Sequence, residues 1–143
     1  MVPPPRVAAG TAGTDRVPHA DPGSFRDPAN RVFHLDGQVL RGLGPQATAD
    51  WQALASAEFF ARLLADGAVC GTEVADPATL PAALTESWTT VLRHERIPFI
   101  SYPYEWSFAM LRDAALRHLE IVRAAVEAGF TTKDGSAYNL QWR

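Results

Sequence analysis

The chain has 143 residues, 47% of them hydrophobic and 20% charged, with a formal net charge of -3. That length supports one domain with its own core, since a chain of this size buries roughly 70% of its unfolded surface. The acidic balance, without any block of lysines or arginines, offers no electrostatic footprint for nucleic acid or an anionic membrane surface, and no apolar run approaches the roughly 18 residues that a membrane span needs. Cys70 is the single cysteine, which excludes an internal disulfide and a cysteine-based metal cluster and suits a reducing cytoplasm.

Met1 to about Gly23 is rich in Pro, Gly and Ala with almost no large apolar side chains, so a disordered tail over 1–23 is expected ahead of a single domain over 24–143. The tail has neither the basic start nor the apolar core of a secretory signal, and the expected location is cytoplasmic. From Arg31, "RVFHLDGQVLRGL" gives two β-type runs joined by Asp36-Gly37, a dipeptide suited to a tight hairpin turn. "TADWQALASAEFFARLLADG" places Trp51, Leu54, Ala55, Phe59 and Leu63 at helical spacing, with Thr48 or Asp50 as the starting cap and Gly67 at the end. Asp76-Pro77 signals a helix start that Pro81 keeps short. "SWTTVLRH" and "IPFISYPY" read as two further strands, paired with each other. "WSFAMLRDAALRHLEIVRAAVEAG" then sets Phe108, Leu111, Ala115, Leu119, Val122 and Val126 on one stripe of a long helix that Gly129 ends. Hairpin, helix, strands, helix and a closing polar loop spell an α+β fold with a small antiparallel sheet, not a doubly wound parallel one.

Several patterns touch on chemistry. "GLGPQA", Gly42 to Ala47, matches a dinucleotide fingerprint, but it follows an antiparallel hairpin instead of opening a βαβ unit, so a plain strand-to-helix loop is expected. His19, His34, His94 and His118 lack the i, i+4 pairing and nearby carboxylates of a zinc site, and no serine lies in a nucleophile elbow. "PFISYPYEW" gathers Phe99, Tyr102, Tyr104 and Trp106 around two prolines, a pattern for packing against a neighbouring helix or domain, or for lining a ligand cleft.

The closing "KDGSAYNLQWR" is the most specific motif. It sets Asp134 and Asn139 at the D-x-x-x-x-N spacing of a phosphotransferase catalytic loop, where the Asp takes the proton of the attacking hydroxyl and the Asn holds a metal ion on the nucleotide phosphates. That chemistry also needs a second metal-holding Asp farther on and a phosphate-positioning lysine in an early strand. The early hairpin has no lysine, Lys133 being the only one in the chain. An ordinary turn satisfies the same pattern.

"FRDPANRVFHLDGQVLRGL", "RIPFISYPYEWSFAMLRDAALRHLEI" and "TTKDGSAYNLQWR" together resemble the N-terminal region of bacterial class I S-adenosylmethionine-dependent methyltransferases related to a nodulation protein. The resemblance spans Phe25 to Arg143. It implies an accessory domain or fragment, catalytically silent alone, whose methyl-donor site lies on a Rossmann-like domain outside this chain; S-adenosylmethionine is thus implied for the full-length family and no cofactor for this chain. The order of elements is also that of a trimmed kinase-like fold, at the level of analogy. On that alternative the chain is half of a phosphotransferase site, with Asp134 as base, Asn139 as metal ligand and ATP with magnesium as cofactor. A third alternative is a protein-interaction module using residues 98–106. The resemblance further implies a C-terminal domain, partner chain or homodimer covering the apolar stripe of the 107–128 helix, which should otherwise stand partly bare.

Overall fold

The computed structural model describes residues 16–142. It shows the expected α+β architecture, a five-stranded antiparallel sheet in the order β1-β2-β3-β5-β4 with four helices. The strands are β1 (His19–Ala20), β2 (Asn30–Leu35), β3 (Gln38–Leu43), β4 (Thr72–Val74) and β5 (Thr90–His94), and the helices are α1 (Pro45–Ala55), α2 (Glu58–Ala65), α3 (Ala82–Thr85) and α4 (Phe108–Glu127). The β2–β3 hairpin turns at Asp36 (φ 48°) and Gly37 (φ 76°), the paired positive angles of a two-residue turn whose twist matches the strands.

Side-chain alternation gives the sheet two unlike faces. Leu35, Leu40 and Val91 point to one face, where Ala75, Leu80, Leu84 and Trp88 close over them. Gly42 belongs to this face, and a Cβ there would sit 2.4 Å from the Trp88 ring. The other face carries Asn30, Arg41, His94 and Thr72 on four strands, diagonal neighbours except for the His94–Thr72 pair, together with the buried Leu43 and Leu92. A second core lies between helices, where Phe59 and Phe60 of α2 meet Ala125 of α4 with Trp51, Leu54, Leu63 and Phe130 around them.

Several expectations change. The tail read as running to Gly23 contains β1, which pairs with His34 and Phe33; its residues 1–15 lie outside the described residues. The single helix from Thr48 is two, broken at Ser56 and Ala57, and it starts at Pro45 without a side-chain cap. Thr48 is buried inside α1, not at its end. The break lets Trp51 meet Phe60 edge to face at 5.7 Å.

The partners of β5 are β3 and β4, so "IPFISYPY" is not a strand. Pro98 and Pro103 have no N–H to donate to a ladder, and the segment runs as coil into a short turn at Pro103–Glu105. The strand β4 comes instead from the stretch just before Asp76, where only a loop or short helical turn was expected; the turn itself forms at Pro77–Thr79, capped by Asp76 Oδ1 accepting from Ala78 N at 3.0 Å.

The long helix forms as expected, with Ser107 Oγ accepting from the Met110 N–H at 3.3 Å. Its buried positions are Ala114 and Ala125, one stripe round from the large apolar residues, and at Ala125 the close approach to Phe59 and Phe60 admits only a small side chain. The stripe that includes Phe108, Leu119 and Val126 faces solvent.

Candidate functional site

The closing loop folds over the side of α4. Asn139 Nδ2 donates to the backbone carbonyl of Asp134, and Asn139 N donates to Ser136 O at 3.0 Å. The spacing of five therefore ties the loop to itself, leaving both side chains on its exposed surface. Gly135 presses on α4 so closely that a Cβ would lie 2.8 Å from the His118 ring. Between α4, the turn after α2 and this loop opens a cleft of about 690 Å³ whose lining includes Asp113, His118, Asp134, Asn139 and Trp142.

The loop is also fastened to the aromatic segment. Gln141 Oε1 accepts from Ser101 N at 2.9 Å while its Nε2 donates to Ser101 O at 3.1 Å, so one side chain satisfies both backbone groups as a neighbouring strand would. Trp106 is buried, donates Nε1–H to Ser101 Oγ at 2.9 Å and meets Trp142 edge to face. Phe99 and Tyr104 remain exposed, with the Tyr104 ring stacked on Tyr102 at 5.5 Å.

A chain of polar contacts runs from this loop into the sheet. Lys133 pairs with Asp27, which accepts from Ala29 N at 2.9 Å and from Asn30 Nδ2 at 2.7 Å. Lys133, and after it the Ala29 N–H, hold the Asp27 carboxyl below its ordinary pKa. Asn30 Oδ1 accepts from Arg41 Nη1 at 2.7 Å, and Arg41 Nε donates to His94 Nε2 at 3.3 Å. Since that nitrogen accepts, the His94 proton sits on Nδ1 and is donated to Thr72 Oγ1 at 2.9 Å, whose own proton goes to Cys70 O at 3.0 Å. Burial, then the Arg41 charge, push His94 down to about 4, so it is neutral at pH 7. Burial also lowers Arg41, which spends two of its five donors on these contacts and among the described residues has no carboxylate in direct contact.

Asp134 and Asn139 thus come together as a structural tie, and no metal-holding cluster of His, Cys, Asp and Glu occurs among the described residues. His19 and His34 lie opposite each other across β1 and β2, with His34 pairing with Asp21 at 2.9 Å, while His94 joins the polar chain. "GLGPQA" forms the strand-to-helix connection, with Pro45 opening α1. Residues that sequence reading passed over are Arg41, Asp27 and Gln141. Arg41 carried a signal, a lone cation in the middle of an apolar strand; Gln141 carried none, because its partner is 40 positions away.

The fold and this site define a small antiparallel α+β domain whose polar loop is locked to both its sheet and its aromatic segment. Over 121 residues, 84% of its length, the chain is 40% identical to Nodulation protein NoeA of Rhizobium meliloti (strain 1021), and it spans about a quarter (25%) of that protein. No family model matches the chain, and no solved structure does.

Proposed function

We propose that this chain is an N-terminal accessory part of a NoeA-like protein of the S-adenosylmethionine-dependent methyltransferase kind, and is catalytically silent alone. The methyltransferase class comes from the sequence resemblance. Asn139 Nδ2 donates to the Asp134 carbonyl, which ties the loop but leaves the metal-binding Oδ1 uncommitted, so the silence is carried instead by the extent of the match. Similarity to a quarter of a longer protein supports the accessory role. The test is calorimetric titration of S-adenosylmethionine into this chain and into full-length NoeA. The expected result is heat only with NoeA. Micromolar binding to this chain would end the silent reading, and absence of binding to NoeA would end the methyltransferase one.

One observation favours a second reading, a phosphotransferase half-site. Arg41 places an under-used cation on β3, linked through Asn30 and Asp27 to Lys133 beside Asp134. An anion such as a nucleotide phosphate is what such a guanidinium binds. Titration with ATP and magnesium tests it: binding lost in both Arg41→Met and Asn139→Ala promotes this reading, and no binding removes it.

A further inference from the structure

The helix α4 has two apolar faces, and only one is used. Ala114 and Ala125 lie on the face turned inward, while Phe108 (83% exposed), Leu111 (39%), Leu116 (53%), Leu119 (63%) and Val126 (60%) stand in solvent. From Phe108 to Val126 the bare stripe is about 27 Å long at 1.5 Å per residue. Its spacing through Leu111, Ala115, Leu119 and the half-buried Val122, in steps of 3, 4, 4, 3 and 4, keeps it on one side of the helix as a seam for another helix. An apolar surface of this extent on a small domain marks a contact site.

The charges bordering the stripe identify its occupant. At 3.6 residues per turn the nearest charged side chains are Arg112 and Arg123, both exposed, while their own-helix partners Asp113 and Glu127 lie farther round. Antiparallel pairing of two copies that sets Phe108 against Val126 brings Arg112 of one beside Arg123 of the other. Parallel pairing puts the arginines of the two copies on opposite sides of the seam, each facing a flank without a carboxylate. Neither arrangement offers the arginines an opposite charge, whereas a helix with an apolar stripe bordered by Asp and Glu does. The three quarters of NoeA outside the matched region are long enough to hold such a segment.

We infer that the bare stripe of α4 docks an amphipathic helix with an acidic border, contributed by the remainder of a NoeA-like chain. This rests on the reading of the domain as part of such a chain, but not on its chemistry. The experiment follows maleimide labelling of Leu119→Cys in this chain alone and in NoeA whose matched quarter is replaced by this chain, with Arg117→Cys on the charged side of α4 as reference. Unsubstituted chain corrects for Cys70. Labelling of Leu119→Cys should slow about tenfold or more on joining, with Arg117→Cys changed less than about twofold, the pattern of local protection. Adding Arg112→Glu and Arg123→Glu to the joined chain should restore fast labelling.

Equal rates for Leu119→Cys in both settings would overturn the inference. So would equal slowing at both positions, which means general occlusion, and so would concentration-dependent protection in the chain alone, which assigns the stripe to a second copy. Protection that survives the two glutamates overturns the acidic border. Loss of S-adenosylmethionine binding by NoeA touches none of these readouts, so the two proposals fail separately.

Discussion

The two faces of the sheet are made by the same strands and end in opposite states. One is closed by Leu40 and Leu84, exposed to 0% and 1%, under a lid formed by the segment from Ala75 to Trp88. The other adds to the buried Leu43 and Leu92 a guanidinium, an imidazole, an amide and a hydroxyl, each held by its neighbour. Dispersion and the hydrophobic effect need only shape on the first face, whereas on the second every donor needs a partner or the desolvation cost is left standing.

The largest effect should follow from opening the closed face. Leu40→Ala removes a fully enclosed side chain and should cost about 2–5 kcal/mol in urea unfolding, enough to threaten the native state. Next is Gly42→Ala, whose new methyl must displace the Trp88 ring; overpacking of this kind costs about 1–3 kcal/mol, and the tryptophan fluorescence should shift with it.

On the polar face the sensitive variable is pH. Above about 6.5, the ordinary histidine value, His94 is neutral in both folded and unfolded chains. As the pH falls towards about 4 the unfolded chain takes up a proton that the folded chain refuses, so stability declines through this window and levels off below it. With partial exposure discounted, the loss is on the order of 2 kcal/mol. Urea midpoints at pH 7 and 4.5 measure it, and His94→Gln should flatten the difference; an unchanged slope would detach His94 from the effect.

The smallest change is at Thr48, whose buried hydroxyl has no partner among the described residues. Thr48→Val keeps the shape and removes the orphan group, so stability should hold or rise by about 1 kcal/mol. A loss above that would mean that the hydroxyl has a partner in solution, and the same urea curves decide it.

Much of this was legible in the chain. Asp36-Gly37 encoded its hairpin because the turn geometry is local, and Ser107 and the periodicity after it encoded α4 because capping and amphipathicity are local too. The strand wrongly read at 97–104 shows the limit: its β-type side chains matched a pattern, but two prolines and the availability of β3 and β4 decided the pairing. At the candidate site the sequence pointed to Asp134 and Asn139, yet not to their tie or to the contacts of Lys133 and Gln141, whose partners lie 106 and 40 positions away.

By itself the sequence determined the class of fold, the hairpin, the long helix and the spacing of the closing loop, all properties of residues within a few turns of one another. Only the tertiary structure decided which stripe of α4 is buried. Periodicity marked the large apolar stripe as the core face, but Phe59 and Phe60 approach Ala125 so closely that only a small side chain fits there, and the larger side chains are left outside. It decided as well that Arg41, an unremarked cation in an apolar strand, joins the loop to the sheet, because cross-strand register brings Asn30 and His94 to either side of it.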